Sequence, residues 1–326
     1  MRIETVAGPI HPDELGATLM HEHPDSVAPG GFYSGGNTSD IEDLAERALS
    51  CLPSFGVRSV VDLSGRAKTA HDDNLVGRLA IRLPLNLIAG FSFYKDPWLD
   101  GIEDNLDRLV DLYIRPAVDG IRGTSIKAGI FGEVGTSLNQ ITPREETHLR
   151  AAARAHIATG LAISTHCTLG TMAIEQTDLL IDEGADLSRV VLGHLDLQPD
   201  IVYLEKVLGS GVNIAFDTFG KEWFDYRVPN SEGAGGGEFI KWTYHRPDQD
   251  RIRALTELVA RGYDHRIVLS CDMSGAEAYM NPSTHGRYGY AYLPGVVLPR
   301  LTEAGVSEAS LHRMLVENPA RILAMP

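Results

Sequence analysis

The chain has 326 residues, 43% of them hydrophobic, and sets 29 Lys and Arg against 44 Asp and Glu, a net charge of −15. That acidity repels phosphate backbones and anionic lipid, which excludes nucleic acid and membrane surfaces as expected partners and leaves a small molecule. Three scattered cysteines, Cys51, Cys167 and Cys271, form no disulfide framework and fit a reducing compartment.

Short β-branched apolar runs recur along the whole sequence. The expected strands are 18–23 (TLMHEH), 59–65 (SVVDLSG), 86–92 (NLIAGFS), 128–135 (AGIFGEVG), 162–167 (AISTHC), 190–196 (VVLGHLD), 212–219 (VNIAFDTF) and 267–273 (IVLSCDM). Amphipathic stretches at 41–52, 143–159, 171–183 and 251–261 read as intervening helices. Thr142 and Pro143 mark a helix start, and Gly160 and Gly184 mark helix ends. Eight strands alternating with helices, with no Ser/Pro-rich linker, predict a single (β/α)8 TIM barrel over 1–326. A doubly wound open sheet is the alternative, but the Gly-rich phosphate turn after the first strand is missing. Gly-rich loops at 29–37 and 231–237 (SEGAGGG) read either as mobile rim segments or as plain surface loops. The N-terminus has early acids and no apolar h-region, and no apolar run is long enough for a bilayer, so a cytoplasmic location is expected.

In such barrels the active-site face lies at the C-terminal strand ends. Those ends carry His21 and His23, Glu133, His166, His194 and Asp272. Alternation puts His21 and His23 on one face of their strand and Glu22 on the other. One HxH pair alone is weak evidence; six ligand-type residues at five strand ends are hard to obtain by accident. Imidazole and carboxylate together suit zinc first, and also Mn, Fe, Co or Ni. Two divalent ions about 3.5–4 Å apart need a bridging carboxylate and several neutral donors. His21, His23 and Asp272 would hold one ion, His166 and His194 the other, with Glu133 between them. A metal-bridging hydroxide would be the nucleophile, and Asp272 would carry its proton to the leaving group.

At these residues the sequence resembles the phosphotriesterase-like branch of the amidohydrolase superfamily. The likeness rests on LGATLMHEH, STHCTLGTM, VVLGHLD, VLSCDM and the tail GYAYLPGVVLPRL…ENPARIL, and runs nearly end to end. It implies a barrel with two metal ions, hydrolysis of an ester, lactone, amide or phosphotriester, and a possible homodimer. By resemblance the four histidines are ligands, and Asp272 is the metal-bound acid/base. Many members bridge with a carboxylated lysine, and Lys127 is available. Glu133, however, precedes His166 by the family's shorter interval, and IKAGIFGEVGTS resembles a phosphotriesterase-related subgroup bridged by glutamate. Asp217 is followed by Thr218, where lactonases tend to have arginine. Tyr94 matches a tyrosine that lines the lactonase site; an aromatic loop anchor is the equal alternative.

Asp196 shares the His194 face by spacing, either to relay a proton from Asp272 or orient a ligand, or equally to cap the next helix. Trp223, Arg227, Tyr244 and Arg246 could touch substrate or merely pin their loop. His71 and His285 could reach the pocket; His11, His148, His156, His265 and His312 read as structural or solvated. Cys167 and Cys271 point away from the metals and pack. Hydrolysis of a carboxylic ester, lactone or amide is the leading expectation, with phosphotriester cleavage second. A metal-containing binding protein and a metal-dependent lyase are the rivals from other classes. A neutral substrate would suit the acidic chain better than a highly anionic one.

Overall fold

The computed structural model describes residues 1–24, 38–64, 75–222, 246–273 and 284–326. A short hairpin, β1 (Ile3–Thr5) and β2 (Gly8–Ile10), precedes the barrel and was not anticipated from sequence. Eight parallel strands follow: β3 (Ala17–Glu22), β4 (Val57–Asp62), β5 (Asn86–Phe91), β6 (Ile130–Thr136), β7 (Ala162–Cys167), β8 (Val190–Gly193), β9 (Asn213–Phe216) and β10 (Ile267–Leu269). They pair in chain order from β3 to β10, a (β/α)8 barrel. Every expected strand is present, but the last three stop early. The chain leaves β geometry after Gly193, Phe216 and Leu269, so His194, Asp217 and Asp272 lie beyond the strands that aim them.

Helices return the chain to the next strand: α1 (Thr38–Leu49), α2 (Leu75–Arg82), α3 (Leu106–Val118), α4 (Pro143–Thr159), α5 (Ala173–Asp182), α6 (Ile201–Leu208) and α7 (Asp248–Ala260). α4 begins where sequence places it. Thr142 accepts from the Glu145 backbone and Glu145 from that of Thr142, a reciprocal cap. It ends at Gly160, whose φ of 76° suits glycine. No described helix is long and apolar enough to cross a membrane.

The strands divide two apolar layers. Met20, Val61, Ile88, Ile130, Ala162, Val191, Ala215 and Val268, one from each strand, fill the barrel interior. Their neighbours Leu19, Val60, Leu87, Phe131, Ile163, Leu192, Ile214 and Ile267 pack toward the helices. The interior is therefore a plug of side chains, and only its C-terminal rim is polar.

Candidate metal centre

Simple alternation carries some of the polar residues to that rim and fails for others. Ala162, Ser164 and His166 share one face of β7, and Ala215 leads to Asp217 in the same way. For His21, alternation from Leu19 points to the helix side. Between the pairs Leu19–Val60 and Glu22–Asp62, however, β3 has two residues where β4 has one. This extra residue re-aims His21 and, after it, His23. β6 repeats the device. Between Phe131–Ile163 and Val134–Thr165 it has Gly132 and Glu133 against the single Ser164. A Cβ on Gly132 would lie 2.9 Å from Ser164 Cβ, so the bulge needs a glycine beside Glu133. His194 is turned by its own backbone, with φ of 61°; Asp272 also adopts a left-handed φ, 47°. Such angles are uncommon outside glycine and cluster at functional sites.

The expected site residues converge. Nε2 of His21 and His23 are 3.2 Å apart, and Asp272 Oδ1 lies 2.8 Å from His23 Nε2 and 3.5 Å from His21 Nε2. His166 Nδ1 is 2.8 Å from His194 Nε2. Glu133 sits among all four rings: Oε2 is 2.8 Å from His166 Nδ1, 3.3 Å from His194 Nε2 and 3.6 Å from His21 Nε2, and Oε1 is 3.6 Å from His23 Nε2. Tyr94 places its hydroxyl 3.0 Å from His166 Nε2. Lys127 is exposed, ahead of β6.

Two sets of ligand atoms come within 4.8 Å of one another, His21 with His23 and Asp272, and His21 with Glu133 and His194. Four imidazoles and two carboxylates in mutual contact form a donor set that fits divalent ions. Asp217, buried directly after β9, strengthens the fit. Its oxygens lie 2.8 Å from His21 Nδ1 and 3.0 Å from His194 Nδ1, which leaves both Nε2 atoms facing the cluster. Burial alone would raise the Glu133 carboxyl, yet the surrounding histidines, His166 first, hold it well below the usual carboxylate range. Burial likewise opposes ionisation of Asp272, and Lys221 and His194 override it. Both shifts favour the ionised form that metal ligation requires.

Several residues around the cluster escaped the sequence reading. Lys221 reaches Asp272 Oδ2 from the loop after β9. Glu22 is fully buried and accepts from the Cys271 and Met273 backbones at 2.9 and 2.8 Å and from the Ser270 hydroxyl at 2.7 Å. Nothing in the sequence distinguishes either residue. Asp217 was legible as a strand-end acid on the same face as Ala215. Asp196 corrects an expectation: neither a relay to Asp272 nor a helix cap appears among its contacts. Its carboxylate accepts from Thr218 N at 2.9 Å and Thr218 Oγ1 at 2.8 Å and lies 3.2 Å from Arg251 Nε, while Asp200 caps α6. Arg251 also pairs with Asp248, which accepts from Gly220 N, so this buried network holds the loop that carries Lys221. Cys167 and Cys271 are fully buried in the core, as expected. Arg246 is exposed at the start of α7. Trp223, Arg227, Tyr244, His71, the loops 29–37 and 231–237 and the His285 side chain lie outside the described residues.

Comparison with known proteins gives the same picture. The model of the phosphotriesterase family matches residues 1–323. The phosphotriesterase homology protein of Escherichia coli (strain K12) is 34% identical, the match covering 95% of this chain and 98% of the relative. N-acetyltaurine hydrolase of Dictyostelium discoideum is 28% identical, over 99% of this chain and 98% of its own. The solved structure of the Escherichia coli phosphotriesterase homology protein, complexed with phosphate in its active site, superposes with a TM-score of 0.79 at 31% identity, covering 96% of this chain and 100% of that one. With the family model matching residues 1–323 and the barrel shared with a solved relative, this protein belongs to the phosphotriesterase family.

Proposed function

We propose that this protein hydrolyses an acyl bond of a small molecule, with a carboxylic amide first and an ester or lactone next, at a centre of two divalent ions. Zinc is the first candidate ion, and His21, His23, Glu133, His166, His194 and Asp272 would hold the pair. One observation carries the reading: four imidazoles and two carboxylates meet at the mouth of the barrel, with Asp217 orienting two of the rings. As a member of this family, the chain is a metal-dependent hydrolase. The N-acetyltaurine hydrolases among its relatives cleave an amide, which favours the acyl reading over phosphotriester cleavage.

When bound, the ions supply an acidified water and a Lewis acid for the acyl oxygen. The chain's own residues do the rest. Asp217 keeps the His21 and His194 rings in one orientation. Asp272 divides its oxygens: Oδ1 faces His23, and Oδ2 contacts Lys221. Asp272 is placed to take a proton from the attacking water and return it to the leaving nitrogen. The C–N bond breaks, a carboxylate and an amine form, and one water is consumed. Tyr94 adds a hydroxyl at the wall beside His166 that can orient substrate.

The test is mass-spectrometric product analysis with N-acyl amines, esters, lactones and phosphotriesters, using metal-loaded and chelator-stripped protein. Metal-dependent cleavage of an acyl substrate supports the reading. Turnover of phosphotriesters alone would replace it with the phosphotriesterase alternative. Bound metal without turnover of any class would favour a binding role.

A further inference from the structure

We infer that Lys221 is a positioning residue for Asp272: it reserves Oδ2, so that Oδ1 alone serves the ligand histidines and one carboxylate oxygen stays available for the proton. The buried Asp248–Arg251 pair sets the lysine in place through the turn Thr218–Lys221. The inference rests on the hydrolytic reading above and adds residues to that same site.

The two oxygens of Asp272 have different surroundings. Oδ1 lies 2.8 Å from His23 Nε2 and 3.5 Å from His21 Nε2. Oδ2 meets the Lys221 ammonium instead, and the imidazole atom beside it, His194 Nδ1 at 3.9 Å, already faces Asp217. A carboxylate released from such a contact can turn both oxygens toward cations, and then neither is left as a good base. An ammonium contact is milder. It fills one lone-pair position of Oδ2 and leaves another for an incoming proton. Lys221 is only 7% exposed, whereas a lysine kept for solubility carries its charge out to water.

The turn that presents the lysine is fixed at almost every polar backbone atom. Lys221 N donates to Thr218 O at 3.1 Å, and Gly220 takes the left-handed φ of 88° that closes the turn. Gly220 N donates to both oxygens of Asp248 at 3.1 Å, and Gly220 O accepts from Thr284 Oγ1 at 2.7 Å. Thr218 N donates to Asp196 at 2.9 Å, and Thr218 Oγ1 accepts from Arg251 Nε at 3.0 Å. Arg251 Nη1 lies 2.8 Å from Asp248 Oδ1, and Tyr292 donates its hydroxyl to Asp248 Oδ2 at 2.7 Å. Asp196, Asp248 and Arg251 are fully buried. Buried charges are costly unless each is paired, and here their hydrogen bonds converge on one four-residue turn. That turn ends in the lysine on Asp272, so the network transmits a fixed backbone to the ammonium and the ammonium a fixed orientation to the carboxylate.

Metal-loaded wild type, K221M, T284V and the double variant are compared on the acyl substrate found by the product analysis above, and zinc affinity is read for each by competition with a chelator. In K221M, kcat should fall roughly tenfold to hundredfold with KM changed little. Zinc should be held roughly tenfold more tightly, because Oδ2 is freed as a second donor and a neighbouring positive charge is gone. A lysine that only packed its loop would weaken turnover and metal binding together. T284V removes one bond to the turn and should lower kcat roughly two- to tenfold. In the K221M background it should add nothing. Unchanged kcat in K221M, or zinc held no more tightly than in wild type, would overturn the assignment. Additive losses in the double variant would remove the turn from it. If wild type cleaves no acyl substrate, the hydrolytic reading fails, and the chelator competition by itself decides whether Lys221 reserves Oδ2.

Discussion

Glu133 and His166 stand on β6 and β7, strands laddered on both sides, whereas His21, His23 and Asp272 flank the junction of β3 and β10, which carries no strand ladder among the described residues. That junction is closed differently. His23 N donates to Met273 O and Asp272 N to His21 O, both at 3.0 Å. The remaining bonds run through side chains: His21 N to Ser270 Oγ, and Ser270, Cys271 and Met273 to Glu22. Glu22 thus holds the backbone on either side of Asp272, whose φ is left-handed. Across the site the same device holds the other left-handed ligand. The left-handed His194 is held by Asp217, which accepts from His194 N at 2.9 Å. The laddered half spreads its support over many backbone bonds; the junction half concentrates it in one buried carboxylate.

The largest expected effect comes from the reactive end of the junction. Asp272→Asn should lower kcat by roughly 10²–10⁴-fold with metal content, read by elemental analysis, nearly unchanged. Unchanged turnover would remove Asp272 from proton transfer and leave it a ligand only.

Next comes the support itself. Glu22→Ala leaves two backbone N–H groups and a hydroxyl buried without an acceptor, a cost of about 3–5 kcal/mol by denaturant titration. The contrasting change on the laddered side is Gln176→Leu, which removes bonds to Thr136 Oγ1, His166 O and the Cys167 thiol; about 1–3 kcal/mol is expected, because the partners' backbone keeps its ladder bonds. Equal losses would break the contrast between the two halves.

Acid sharpens the comparison from the laddered side. His148, on α4, packs against Phe93 at 5.3 Å between ring centroids, and burial pulls its imidazole down to about 4. The unfolded chain takes that proton near pH 6.5, the folded chain only near pH 4. Stability is therefore full above pH 6.5 and is lost as the pH falls toward 4, by up to about 3 kcal/mol. His148→Leu should flatten this acid limb relative to wild type in chemical denaturation of metal-free protein. An identical limb in the variant would assign the loss to the ligand histidines instead.

Asp217→Asn should weaken metal binding by roughly tenfold to hundredfold in competition with a chelator, because it touches His21 from the junction half and His194 from the laddered half. Loss of only one ion would show that the halves are held independently. The smallest effect is expected for Tyr94→Phe, about fivefold in kcat/KM with metal content intact. A larger loss would move Tyr94 from orienting substrate to the chemistry.

Much of this was legible in advance because burial writes itself into sequence. Strands with two covered faces read as apolar runs, and a functional rim reads as polar residues at their ends. The reciprocal cap of α4 and its terminal glycine are local chemistry, and they appear where expected. The hairpin β1–β2 was missed because three-residue strands carry too little pattern. Lys221 was missed because a lysine's burial depends on what surrounds it, and its residue type predicts the opposite.

The sequence by itself determined the order of strands, the identities of the six ligand-type residues and the face of those that obey a period of two. His166 and Asp217 reach the barrel mouth by alternation from Ala162 and Ala215. Tertiary structure alone decided the rest. His21 and Glu133 reach the mouth through an extra residue in β3 and in β6, and His194 and Asp272 through left-handed backbone. A bulge is a property of two strands in register, since an extra residue exists only relative to a partner. A left-handed backbone persists only where its surroundings hold it, as Asp217 does for His194. Both depend on contacts between segments far apart in the chain, so no single stretch of the sequence displays them.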